Sequence, residues 1–295
     1  MKITDENATY FIVCIGAGAN GSHFVRNLLQ DIATYAPKNN YRSYYPLAKV
    51  ALVDGDKVEK KNLANQLFDS EDIGLSKTDA LADRYGTHYK VDVRSFDMYV
   101  TTLEELNAIF ALKGPNDIPV LVGLVDNNRT RMLLHEYFHS KEVEHLLYID
   151  VGVEGVLLKE ELVGDTNAEE KIRTSGFSGQ VVCGYKEKGK VFLPPLADVY
   201  PSVLEDAESV FPTQSCGDLI LNNPQRSATN KMAAQMTNTF LNNLFYSGEI
   251  VQEEILFNAR YGTAQARFVS NHVEKEYQNF FKEMTNNGAT SSIVS

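Results

Sequence analysis

Hydrophobic positions along the first half of the chain fall into two alternating patterns. "YFIVCIG", residues 10–16, is a short continuous apolar run closed by glycine, the mark of a strand buried on both faces. Phe24, Val25, Leu28, Leu29 and Ile32 then recur at helical spacing. After the polar connection "APKNNYRSYYP", "KVALVDGD" repeats the buried-strand pattern and ends in acids. Ala80, Leu81 and Tyr85 mark a helix, "VDVRS" a weak third strand and "LEELNAIFAL" another helix. "IPVLVGLVD" is a strong strand, "RTRMLLHEYFHS" a helix and "HLLYIDVGV" a further strand. Strands alternating with helices predict an α/β fold, a Rossmann-like, mostly parallel sheet flanked by helices.

The pattern changes near residue 155. "GFSGQVVCGYK" and "KGKVFLPPL" predict a hairpin, and "ADVYPSVLEDAESVFPTQSCGDL" is irregular. Met232, Met236, Phe240 and Leu244 mark a long amphipathic helix stopped at Ser247-Gly248. "EEILFNARYGTAQARFV" predicts a closing hairpin, and the polar tail "MTNNGATSSIVS" a frayed end. We therefore expect two halves of one domain. Residues 1–155 form the nucleotide-binding half. Residues 156–295 carry the C-terminal antiparallel strands, a cysteine-bearing crossover loop and the long helix.

Composition narrows the classes. The formal charge is −11 over 295 residues, which opposes nucleic acid or an anionic membrane as partner. No apolar run reaches the roughly 18–20 residues of a spanning helix, and the N-terminus lacks a signal-peptide core. Three cysteines without a CxxC pair fit neither a disulfide framework nor a four-thiolate zinc site. These features suggest a soluble cytoplasmic protein.

In an open parallel sheet, ligands bind at the carboxyl ends of the strands. Three sets of candidates fall there. Gly16, Gly18 and Gly21 stand in GxGxxG spacing, with Asn20 between them, at the start of a helix. Backbone N–H groups and the helix N-terminus at such a turn suit a phosphate. Asp54 and Asp56 follow the second strand, and Asp126 and Asn127 the fourth. An acid after the second strand also binds ribose in dinucleotide enzymes, so these features alone leave an oxidoreductase open.

The next segment is more specific. "VDGDKVEKKNLANQLFDSEDIGLSKTDAL" holds Asp54, Asp56, Val58, Asn62, Leu63, Gln66, Phe68, Asp72, Ile73, Gly74 and Lys77 at defined intervals, and "LVDNNRTR" places Arg131 four residues after Asp-Asn. Over residues 10–155 the chain resembles the ThiF/MoeB/HesA superfamily, the ubiquitin-activating-enzyme-like adenylyltransferases. The resemblance implies a homodimeric enzyme that uses ATP and Mg²⁺ to adenylate the C-terminal glycine of a ubiquitin-like, β-grasp protein. It implies Asp54 on the ribose, Asn62, Gln66 and Lys77 on the phosphates, and Asp126 on the metal. Catalysis would then rest on positioning and charge stabilisation by Lys77 and Asp126. Two departures stand out. Asn65 occupies the place of a phosphate-binding arginine, and residues 1–9 hold Lys2 but none of the arginine that many relatives donate across a dimer. Lys60, Lys61 and Arg26 are candidate replacements.

Cys14 and Cys183 lie in strand patterns and are expected in the core. Cys216, in the polar "FPTQSCGDLILNN", is the candidate thioester nucleophile. The order of cysteine loop, helix and hairpin resembles the ThiF-type proteins of bacterial PRTRC systems, which implies a conjugating-enzyme-like partner. A sulfur-carrier adenylyltransferase and a non-catalytic scaffold of the same fold remain alternatives. "HEYFH", His135 to His139, matches the zinc-peptidase pattern HExxH. The stripe Leu133, Leu134, Tyr137 and Phe138 instead assigns this helix to the nucleotide fold. It leaves both histidines on a solvent flank with Arg131 and Glu142.

Overall fold

A computed structural model describes residues 1–4, 8–35, 46–206, 211 and 225–291, with side chains to residue 283. The expected alternation is present. Strand β1 (Thr9–Ile15) leads to helix α1 (Ala19–Tyr35), β2 (Ala48–Val53), α2 (Lys77–Leu81) and β3 (Val93–Phe96). Then come α3 (Leu103–Phe110), β4 (Asp117–Gly123), α4 (Asn128–His139) and β5 (Leu146–Val153). Beyond α5 (Ala168–Thr174) stand β6 (Ser178–Glu187), β7 (Lys190–Leu193) and a short helix α6 (Leu196–Val199). The long helix α7 (Ser227–Ser247), the hairpin β8 (Gln252–Asn258) and β9 (Thr263–Phe268), and α8 (Asn271–Ser291) follow.

The nine strands among the described residues join one sheet in the order β3-β2-β1-β4-β5-β6-β8-β9, with β7 on β6. Pairing is parallel from β3 to β5 and antiparallel from β5 onward. The period of two along β1 sorts its side chains to the two faces. Tyr10, Ile12 and Cys14 meet Phe24, Leu28, Leu241 and Leu244 under α1 and α7. Phe11, Val13 and Ile15 meet Leu106, Leu134 and Phe138 under α3 and α4. Each such fully buried apolar side chain contributes about 1.5–3 kcal/mol. The Tyr10 hydroxyl donates to the Leu244 carbonyl at 3.0 Å, satisfying the one polar atom it takes inside.

Two expectations are corrected. The tail expected to fray is helical as far as Ser291, as part of α8. Val273, Tyr277 and Phe280 recur at helical spacing there and pack on the core, with Tyr277 edge-on to Phe192 at 5.0 Å between ring centroids. Arg131, expected on the solvent flank of α4, turns inward to the buried Asp150. No helix among the described residues is long and apolar enough to cross a membrane.

Candidate functional site

The chain leaves β1 through Gly16, whose φ of +104° is open to glycine at little cost. A Cβ there would lie 2.8 Å from the Leu124 carbonyl oxygen, and one on Gly21 would lie 2.1 Å from the Gly16 oxygen. At Gly18 a Cβ would meet nothing within 4 Å. Gly16 and Gly21 therefore serve close packing, whereas Gly18 faces an open cradle at the N-terminus of α1.

Asp54, at the end of β2, stabilises this turn. Its carboxylate accepts from the Ala17 amide at 2.6 Å and from its own loop at the Asp56 amide, 2.8 Å. Lys77 returns to the same place although 21 residues separate it from Asp56. Backbone bonds between Val58 and Leu75, Gly74 and Val58, and Lys77 and Asp56 zip the intervening segment into a closed loop. The Lys77 ammonium then donates to Asp56 at 2.7 Å, with 5% of its side chain exposed. The Tyr99 hydroxyl donates to the other Asp56 oxygen.

The charges act on one another. Burial raises the pKa of Asp54, Lys77 works against it and the charge on Asp56 adds to it. For Asp56 burial acts upward, but the Lys77 ammonium and the bonds from Lys77 and Tyr99 outweigh it, and the net shift is downward. Burial would lower Lys77, yet Asp54, Asp56 and Asp126 together hold it above its usual value.

These groups border a cavity of about 220 Å³ at the carboxyl ends of the strands. Of the residues expected there, Gly16, Gly18, Asn20, Asp54, Asp56, Gln66, Lys77, Asp126 and Asn127 line it. Gly21 does not, and neither does Asn62, which is 2% exposed and accepts from the Glu59 amide at 2.7 Å. Asp72 likewise serves the loop, paired with Arg84 at 2.6 Å. Asn65 lines the cavity; Lys60, Lys61 and Arg26 do not. Asn20 Oδ1, Asn65 Oδ1 and Gln66 Oε1 are buried without a hydrogen-bond partner. Met98, Val100 and Leu124 add apolar wall, and Thr130 and Gln225 further polar lining. Among the described lining residues Lys77 is the only cation, against three carboxylates at Asp54, Asp56 and Asp126.

Asn127 caps α4, accepting from the Thr130 amide at 2.8 Å. Arg131, one turn on, ties the strand ends together: it donates to the Val125 and Val151 carbonyls at 2.6 and 2.9 Å and to Asp150 at 3.2 Å. Cys14 and Cys183 are buried, and burial raises both thiols well above their usual range, so neither is a ready nucleophile. Cys216 lies outside the described residues.

Comparison with solved structures finds the same fold. The E. coli MccB structure with AMPCPP and selenomethionine MccA has a TM-score of 0.53 at 14% identity, covering 90% of this chain and 64% of that one. The E. coli MccB structure with ATP gives 0.51 at 13%, covering 90% and 65%. PaaA gives 0.53 at 14%, covering 88% and 64%. This chain thus spans less than two thirds of the length of these structures, and at such identities the likeness shows the fold alone. No curated protein sequence matches. The ThiF family model matches residues 5–193, which include the glycine turn, the Asp54–Lys77 loop and Asp126; the chain belongs to the ThiF family.

Proposed function

We propose that the chain is an ATP-dependent adenylyltransferase acting on the C-terminal carboxylate of a protein or peptide. The observation that carries this reading is the charge of the cavity. Three carboxylates and one ammonium border a turn built for a phosphate. A bare polyphosphate would be repelled there, whereas a nucleotide accompanied by a divalent cation is accommodated.

The residues fit such a pair. The open cradle at Gly18 and the unpartnered side-chain oxygens of Asn20, Asn65 and Gln66 offer polar contacts to the nucleotide. Asp54, at the end of β2, would hold the ribose and Lys77 the phosphates. Asp126, with Asn127 beside it, would hold Mg²⁺, which when bound neutralises charge on the departing pyrophosphate. The substrate supplies the nucleophile: its carboxylate oxygen attacks the α-phosphorus, the bond to the β-phosphate oxygen breaks, and an acyl adenylate and pyrophosphate result. The enzyme's contribution is orientation and fixed charge. The neighbours support the nucleotide, since MccB has been solved with ATP and with AMPCPP.

The substrate we favour is a ubiquitin-like, β-grasp protein, with a homodimeric enzyme and a conjugating-enzyme-like partner. The basis is the sequence resemblance and the placement of Cys216 in a polar segment between α6 and α7. A peptide is the second reading, favoured by the structures of MccB with MccA.

ATP–pyrophosphate exchange tests the reaction. Exchange is expected with MgATP and a small β-grasp protein or peptide bearing a free C-terminus, and is lost when that carboxylate is amidated. Nucleotide binding without exchange toward any such substrate would instead support a scaffold. For the thioester, Cys216→Ala should keep exchange and abolish a reductant-sensitive adduct. An adduct surviving in that variant removes Cys216 from the reaction.

A further inference from the structure

The two histidines of HEYFH do not stand alone. His135 and His139 lie one turn apart near the C-terminal end of α4, and α6 sets Asp198 against both. His139 Nε2 lies 3.0 Å from Asp198 Oδ2, and His135 Nε2 lies 3.7 Å from Asp198 Oδ1. The imidazoles stand edge to face with centroids 4.6 Å apart. Their ligating atoms and the carboxylate all fall within 4.8 Å of one another. Nothing in the reaction proposed above uses them.

We infer that His135, His139 and Asp198 form a binding site for a divalent transition-metal ion, zinc by preference, separate from the nucleotide cavity. Two imidazoles and a carboxylate are a borderline donor set that suits Zn²⁺ over Mg²⁺ or Ca²⁺. A tetrahedral ion with bonds of about 2.0–2.1 Å needs donors about 3.3–3.4 Å apart. The histidine–aspartate spacings, 3.0 Å to one carboxylate oxygen and 3.7 Å to the other, bracket that value, and no two of the donor atoms lie more than 4.8 Å apart, so side-chain rotation without backbone movement would bring them onto one ion. The remaining position is left to water.

The backbone that carries the ligands is held in place. The buried Lys186 ammonium donates to the carbonyls of Phe138 at 3.0 Å and Ser140 at 2.8 Å, closing the end of α4. Pro194-Pro195 leads into α6, and the Asp198 amide donates to the Pro195 carbonyl at 3.0 Å.

The site is a clamp, not a peptidase centre. Glu136, the general base of an HExxH enzyme, is exposed and is not one of the three clustered side chains. A metal here would join α4 to α6. The chain after α6 is tied back to the start of α4 by Asn128, which donates to Asp206 at 2.8 Å. One ion would therefore fasten one end of a segment whose other end is already fixed beside the cavity.

The test uses the tag-free full chain, stripped with chelator and titrated with zinc chloride alone. We expect one zinc per chain by elemental analysis and a rise in Tm on zinc addition. Cobalt(II) in place of zinc should give visible absorption bands of a low-coordinate site. His139→Ala and Asp198→Asn should each weaken binding by at least about tenfold, the lower end of the loss seen even for outer-shell partners. His272→Ala, on α8, should bind zinc like the parent. Asp198→Asn keeps the side-chain shape, so a folded variant is available even if His139→Ala is unstable. Absence of stoichiometric zinc in the parent, or binding unchanged in Asp198→Asn, would overturn the site in favour of a plain histidine–aspartate ion pair.

Discussion

Lys77→Ala is expected to lower ATP–pyrophosphate exchange by about 10²–10³-fold, the range for removing one preorganised group that stabilises transition-state charge. Lys77 is the only cation among the described residues lining the cavity, so no other described lining residue takes over its charge. The same change should destabilise the fold at neutral pH by about 3–5 kcal/mol, because Asp56 and Asp54 lose their shared buried counter-charge. The sign of the pH dependence follows from the shifts. The Asp56 pKa is lowered in the fold, so its contribution is present above the usual carboxylate value of about 3.9 and fades as pH falls through the lower folded value. The Lys77 pKa is raised, so its contribution is present below its usual value of about 10.4 and is lost as pH rises through the higher folded one. The pair thus supports the fold from about pH 4 to about pH 10, and the deficit of Lys77→Ala should shrink on acidification. Urea unfolding of parent and variant across that range measures it. A variant with undiminished exchange would remove Lys77 from the chemistry, and a deficit independent of pH would remove the ion pair from the stability.

The N-terminal, parallel half of the fold was legible because its signals are local. A buried strand, a glycine turn and an amphipathic helix are each written within some 30 residues. The glycines, Asp54, Asp56 and Asp126 fall at strand ends by the alternation alone, whereas Lys77, at the start of α2, was indicated only by the family resemblance. What escaped depends on which atoms meet across the fold. Asn62 and Gln66 sit in one short motif, yet Gln66 borders the cavity while Asn62 turns under it to cap Glu59. Tyr99 follows a weak strand and carries no pattern that points to Asp56. Gln225 reaches the cavity from far along the chain. Asp198 lies 59 residues beyond His139, in a stretch whose prolines predicted irregular structure rather than a helix turned toward α4. The helical spacing of Val273, Tyr277 and Phe280 was present in the sequence, but the polar residues after it masked the helix.

Arg131 shows how far such a reading can stray at a single position, and it sets the second large expected effect. Helical periodicity put it on the solvent flank; the structure puts 12% of its side chain in solvent, against an Asp150 carboxylate 1% exposed. Arg131→Ala should therefore cost about 3–5 kcal/mol at pH 7, since it strands a buried charge. It should also lower exchange, because the guanidinium anchors the Val125 carbonyl next to Asp126. Burial already raises the Asp150 pKa, opposed chiefly by Arg131. A carboxylate with a raised folded pKa lends stability below its unfolded value and loses it as pH rises through the folded one. Without Arg131 that pKa rises further, so the deficit of the variant should be greatest at neutral pH and smaller near pH 5. The variant Asp150→Asn in the Arg131→Ala background removes the stranded charge and should recover a large part of the loss. Arg131→Lys should recover less, because a lysine cannot reproduce the fork that spans Asp150 and two carbonyls. Denaturant unfolding of the three variants at pH 5 and pH 7 decides the matter. A double variant no more stable than Arg131→Ala would mean that lost packing of the guanidinium, and not the unpaired Asp150, is what the fold cannot tolerate.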